Sequence, residues 1–227
     1  MKKALRYLCL LLILLPGVVM ADNASGVEAY KQGNYQLAFQ QFQEGANDGD
    51  VNAMYNLARL YQLGVGTKTN YQEALQWYKT AVAHGDIGSL VNLGFMYQNG
   101  LGVKKNDSIA IQYYKKALAS NDSNLLSLQP MLNSVPAYNL ANIYYDKHKF
   151  SLAMHYYKLA ANAGDIPSQY YLGLGYLHGQ GVAQNNQLAY EWLYRAEQGG
   201  YAPAQSALAE LYAKLTPAQI QQLQQGS

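Results

Sequence analysis

The sequence predicts an all-α protein, a solenoid of antiparallel helix pairs, and three observations predict it. First, Val51–Asp86 and Ile87–Asp122 align over 36 residues without a gap, and Ile166–Tyr201 is a third ungapped copy. A fixed period in this range marks a repeat architecture. Second, Ala53, Leu57, Leu60 and Tyr61 recur at helical spacing within the copy, which gives one apolar stripe. Third, Gly64, Gly100 and Gly179 follow that stripe, and Asn70, Asn106 and Asn185 stand four residues before Ala74, Ala110 and Ala189. Glycine adopts the left-handed conformation that ends a helix. Asparagine caps the start of one by accepting from an orphan backbone N–H. One helix pair cannot bury both its faces, so neighbours must stack.

The elements follow in order. Residues 1–21 open with Lys2, Lys3 and Arg6, continue with the apolar run Leu8–Leu15 and end at Val19-Met20-Ala21. This basic, apolar, small-x-small order predicts a signal peptide cut after Ala21. An uncleaved anchor is the alternative, but a membrane span needs about 20 apolar residues. Residues 22–50 form a shortened first unit in which Asn34, Ala38 and Asp50 match Asn70, Ala74 and Asp86. The stretch VEAYKQG supplies its short first helix, and Gln36, Gln40, Gln41 and Gln43 suit an end cap with one face in water.

Units 51–86 and 87–122 follow at full length. In each, a first helix precedes the glycine and a second carries residues such as Ala74, Trp77, Tyr78 and Ala81. A small residue follows the leucine (Ala58, Gly94, Ala141, Gly173), which implies close approach by a neighbouring helix. Residues 123–133 are an apolar insertion, with a helical turn expected to break at Pro130. Unit 134–165 is short between its helices: Tyr144 to Ala153 spans nine residues where Tyr61 to Ala74 spans thirteen. Unit 166–201 returns to full length. Residues 202–227 add one more first helix through Ala204, Leu208 and Tyr212, then a glutamine-rich cap starting at Thr216-Pro217.

Composition excludes several classes of function. Cys9 is the only cysteine, so a chain cut after Ala21 has no disulfide, thiol nucleophile or cysteine metal site. The same cut removes three of 16 basic residues, leaving 13 against 14 acids and a net charge of −1. Its lysines form no stripe, so nucleic-acid binding has no electrostatic footprint. The four histidines show no i, i+4 pair for a metal. No G-x-S-x-G elbow occurs. Gly173, Gly175, Gly179 and Gly181 follow a helix rather than a strand, so they read as a helix stop and turn, not a nucleotide loop. Ser89 replaces Ala53 at a packing position. Asp50, Asp86 and Asp165 stand at loop ends, where they cap the next helix. Tyr61, Tyr78, Tyr97, Tyr114, Tyr157 and Tyr176 are expected in the core. No catalytic residue, cofactor or metal is expected.

The pattern A-x-x-x-L-[AG]-x-x-Y-x-x-G-x-G-V, followed by A-x-x-[WY]-[YL] and G-[DG], resembles the Sel1-like repeat, a relative of the tetratricopeptide repeat. Unit 134–165 is similar to a plain tetratricopeptide repeat. The resemblance covers essentially all of residues 22–227. It implies a right-handed superhelix, a concave groove lined by the first helices, and an adaptor that assembles protein complexes. In that frame Asn56, Asn92 and Asn139 point into the groove. An amide both donates and accepts, so a row of them can hold a peptide backbone; the alternative is that each locks its helix to a neighbour. Tyr55, Arg59, Phe95, Gln98, Tyr138, Asn142, Tyr145 and Tyr170 fall on the same face, and aromatics are frequent binding anchors.

The expected function is a non-catalytic protein- or peptide-binding scaffold of the bacterial envelope or secreted space. The alternatives are a cell-wall enzyme that hydrolyses β-lactams or peptidoglycan, and a peptidoglycan-binding adaptor.

Overall fold

The computed structural model describes residues 23–120 and 129–225, with backbone alone for 129–133. The expected signal peptide at 1–21, and residues 123–128 of the insertion, lie outside the described residues. Every described element is helical, and consecutive helices form six pairs. The first pair is α1 (Asn23–Lys31) and α2 (Tyr35–Asn47). Next come α3 (Val51–Leu63) with α4 (Tyr71–Ala83), and α5 (Ile87–Asn99) with α6 (Asp107–Ala119). The second half has α7 (Gln129–Asp146) with α8 (Phe150–Asn162), α9 (Ile166–His178) with α10 (Asn186–Gln198), and α11 (Pro203–Ala213) with α12 (Pro217–Gln225). In the first five pairs the two helices pack on each other, and the second helix of each packs on the first helix of the next pair, as a solenoid requires.

The predicted punctuation is in place. Asp50 Oδ1 accepts from the Asn52 and Ala53 amides at 2.8 and 3.1 Å, and Asp86 and Asp165 cap α5 and α9 through the Ser89 and Ser168 amides. Asn70, Asn106 and Asn185 cap α4, α6 and α10. Gly64, Gly100 and Gly179 end first helices at φ near +70°. The second glycine of each loop serves the stacking. A Cβ on Gly66 would lie 2.1 Å from the Tyr35 carbonyl oxygen, and one on Gly181 2.5 Å from the Phe150 carbonyl. Both partners open the second helix of the preceding pair. Unit 134–165 has no such glycine. There Lys147 Nζ reaches Asp107 Oδ2, on the first residue of α6, at 2.8 Å.

The core is strung along the axis rather than gathered at one centre. One cluster joins Phe42 of α2 to Leu57 of α3; another joins Tyr114 of α6, Leu140 of α7 and Leu172 of α9. Gly94 and Gly173 mark close approaches within their pairs, since a Cβ there would meet the Tyr114 ring at 2.6 Å and Leu193 at 2.7 Å. Of the tyrosines expected inside, Tyr78, Tyr114 and Tyr157 are buried, but Tyr61, Tyr97 and Tyr176 are only half-buried. The latter stand beside the loop, where Tyr61 meets Phe39 edge-on and Tyr97 stacks on Tyr113. Pro130 breaks no helical turn. It lies in the first turn of α7, where its missing N–H would have no partner anyway.

The short turns reveal a kinship that the 36-residue register hides. In the first pair Gly33 N donates to Tyr30 O and Asn34 N to Ala29 O; in the fourth, His148 N donates to Tyr145 O and Lys149 N to Tyr144 O. The two turns share one hydrogen-bond pattern, and they bring residues 23–86 onto 138–201 without a gap. The chain thus contains one short-plus-long block twice. The second copy of the turn is the poorer one. His148 holds φ +56° where Gly33 holds +76°, and Lys149 makes no cap where Asn34 accepts from the Leu37 amide.

A side chain in the left-handed region costs about 1 kcal/mol, and a missing N-cap costs about 1 kcal/mol. His148→Gly and Lys149→Asn are therefore each expected to raise stability by about 0.5–1 kcal/mol, read from urea unfolding. An unchanged or lower midpoint for both would show that the turn is not strained.

Candidate binding groove

The strongest contacts between helices of different pairs that are not neighbours in sequence all join first helices: α1 on α3, α5 on α7, α9 on α11. First helices crowd together and second helices fan apart, so the first helices form the inner face of the curve. All eleven groove candidates lie on them. Tyr55, Asn56 and Arg59 are on α3; Asn92, Phe95 and Gln98 on α5; Tyr138, Asn139, Asn142 and Tyr145 on α7; Tyr170 on α9. None is buried. Phe95, Tyr145 and Arg59 are exposed, Phe95 at 41%, and the rest are half-buried.

The polar members divide by what they touch. Asn56 Nδ2 donates to Asn23 Oδ1 at 2.7 Å, which ties α3 to α1 and is a stacking lock. Asn92 Nδ2 donates to the Gly88 carbonyl of its own helix at 3.2 Å. Gln98 Oε1 accepts from the Tyr114 hydroxyl, and Asn142 Oδ1 from the Tyr157 hydroxyl, both at 2.7 Å. The Tyr78–Gln62 pair repeats this device at 2.7 Å. In unit 166–201 the same two positions are Leu193 and Leu177, both fully buried. Each pair is thus wholly polar or wholly apolar, because a buried hydroxyl without an acceptor costs more than no hydroxyl. Three of the aromatic members rest on other rings: Tyr55 on the buried Tyr78 at 6.0 Å, Tyr138 on the buried Tyr157 at 6.3 Å, and Tyr170 against the half-buried Tyr201 at 5.1 Å.

The inner face deepens at its N-terminal end into a cavity of about 220 Å³. Helix α1 contributes Val27, Tyr30 and Lys31, and α2 contributes Phe42. Asn56, Arg59, Leu60 and Leu63 of α3 close it. Arg59 lies 5.8 Å from the centre of the Tyr55 ring. Asn56 and Arg59 are among the residues expected in the groove; the α1 side chains and Leu63 are not. The short-turn register holds the signal for them, since it sets Val27 level with Asn142 and Tyr30 level with Tyr145. The likeness extends to packing: Tyr30 meets Tyr35, and Tyr145 meets Phe150, edge-on at 5.2 Å in both cases.

This geometry defines a helical-repeat protein with an open inner face. Residues 51–86, 88–122, 137–165 and 166–201 match the Sel1 repeat, and the chain belongs to the Sel1 repeat family. It is similar to a Sel1 repeat protein from Oxalobacter formigenes, with 28% identity over 85% of this chain and 74% of that one and a TM-score of 0.70. A protective antigen present in uropathogenic Escherichia coli strains, displaying an SLR fold, is 19% identical; the match covers 89% of this chain but 58% of that one, with a TM-score of 0.48. An immunity protein from Pseudomonas aeruginosa is 24% identical over 85% and 70%, with a TM-score of 0.48.

Burial raises the pKa of the Tyr78, Tyr114 and Tyr157 hydroxyls well above the ordinary phenol value. A raised pKa means the fold prefers the neutral phenol. That stability is present in full below pH about 10 and falls as pH rises further. Alkaline titration is expected to end in a late step of tyrosinate absorbance, that of Tyr78, Tyr114 and Tyr157, which coincides with loss of helical circular dichroism. Tyr114→Phe is expected to cost about 0.5–1.5 kcal/mol by orphaning Gln98 Oε1, and adding Gln98→Leu to recover most of it, as measured by urea unfolding. Equal stability of the single variant and the parent would show that the bond contributes nothing.

Proposed function

We propose that this protein is a non-catalytic scaffold of the bacterial envelope or secreted space, which grips a protein or peptide partner along its inner face. The observation that carries this reading is the run of half-open aromatic and amide side chains along α3, α5, α7 and α9. Rings such as Phe95, at 41% exposure, bring large apolar contact area at small conformational cost, which suits a binding anchor. Asn92 and Asn139, both half-buried on this face, supply adaptable amides that can clasp a peptide backbone. Membership of the Sel1 repeat family supports a scaffold role. The order of basic, apolar and small residues in 1–21 supports export.

Replacing Asn92 and Phe95 together by alanine is expected to weaken partner capture from an envelope extract by about 30-fold or more, the effect of losing a hot spot. Helical circular dichroism should stay at the parent level. An unfolded double variant would assign both residues to packing. Turnover of a β-lactam or of peptidoglycan fragments by the purified protein, abolished by a single carboxylate substitution, would replace the scaffold reading with an enzyme.

A further inference from the structure

The N-terminal cavity has a counterpart in the second short-plus-long block, and the two are filled differently. In the second block Tyr171 stacks on Tyr157, centroid to centroid at 5.1 Å and 21° between planes. In the first block Phe42 stands in the place of Tyr157, and Asn56 in the place of Tyr171. The asparagine is smaller than the tyrosine, and the cavity of about 220 Å³ opens beside it between α1 and α3, with the buried Phe42 at its back. A cavity of about 150 Å³ already admits a benzene ring. The protein itself shows that a tyrosine ring packs in this setting.

The rim carries the second clue. Lys31 and Arg59 border the cavity, and neither is ion-paired among the described residues. The carboxylates nearby in the chain are engaged elsewhere: Glu28 Oε1 accepts from Gln32 Nε2 at 2.9 Å, and Asp50 caps α3. In the second block the two rim positions are Asp146 and Leu174. Both unpaired cations therefore accompany the open cavity and are missing where the chain supplies its own ring.

We propose that this cavity is the specificity pocket of the groove, and that it takes an aromatic side chain of a partner peptide flanked by acidic residues. The ring sits between Tyr30, Leu60 and Leu63 beside Asn56, and the flanking carboxylates meet Lys31 and Arg59. This rests on the scaffold reading above and adds the class of partner. Exposed charge pairs act chiefly on specificity and encounter rate, so the preference is salt-sensitive.

The test uses two pools of short Gly/Ser-based peptides with one central Phe or Tyr, flanked by Glu in one pool and by Lys in the other. The purified protein is expected to retain the acidic pool about tenfold more than the basic one at low salt. Lys31→Glu with Arg59→Glu should invert that preference. Asn56→Tyr, which copies the second block, should abolish retention of both pools while circular dichroism stays unchanged. Equal retention of the two pools, or retention indifferent to both variants, overturns the pocket. If neither pool binds but envelope capture still depends on Asn92 and Phe95, the pocket is refuted and the scaffold reading survives. If that capture fails too, both fall. Concentration-dependent dimerisation abolished by Asn56→Tyr would make a second copy the occupant and would also overturn the proposal.

Discussion

A helical hairpin of this chain leaves one apolar face uncovered, and only the next hairpin covers it. The rest of the structure follows from that constraint. Leu57, Leu93, Leu140 and Leu172 are fully buried, each between helices of successive pairs, where burial of such a side chain is worth about 1.5–3 kcal/mol. Close approach is what makes that burial complete. Gly94 and Gly173 let a ring or a leucine lie where a Cβ would stand. Gly66, Gly102 and Gly181 let each long loop rest on the backbone that opens the preceding second helix.

Polar groups within the stack are handled in two ways. Helix ends are capped from the same turn, by aspartate before the first helices at Asp50, Asp86 and Asp165 and by asparagine before the second at Asn70, Asn106 and Asn185. Buried phenols are tied across the hairpin, Tyr78 to Gln62, Tyr114 to Gln98 and Tyr157 to Asn142. Among the described residues Gln41, Ser89 and Ser168 are the exceptions: Gln41 Oε1 and the two serine hydroxyls are buried and find no partner. The tyrosine ties also bear on function. Gln98 and Asn142 face the groove with their carbonyl oxygens already engaged, so the inner face is partly a by-product of holding each hairpin closed.

Much of the fold was legible because repetition multiplies a weak signal. One glycine after an apolar stripe says little, but Gly64, Gly100 and Gly179 in register identify a helix end. The caps were legible for the same reason. The groove was legible only as a face. Helical periodicity places Asn56, Asn92 and Asn139 level with one another, yet Asn56 bonds α1 and Asn92 bonds its own helix. Which partner each amide takes depends on the local neighbour, and the neighbour changes along the stack. The α1 wall of the cavity is hidden in the sequence because the 36-residue register breaks at the short turn.

The sequence by itself determined the helix pairs, their ends and their order, because caps, stripes and left-handed glycines act within a few residues of one another. Tertiary structure alone decided which side chains meet across pairs. Phe42 and Asn56 sit fourteen positions apart, and nothing local says that they line one cavity. That cavity exists because a ring in one block is an amide in the other, a difference that acquires meaning only once the helices are stacked.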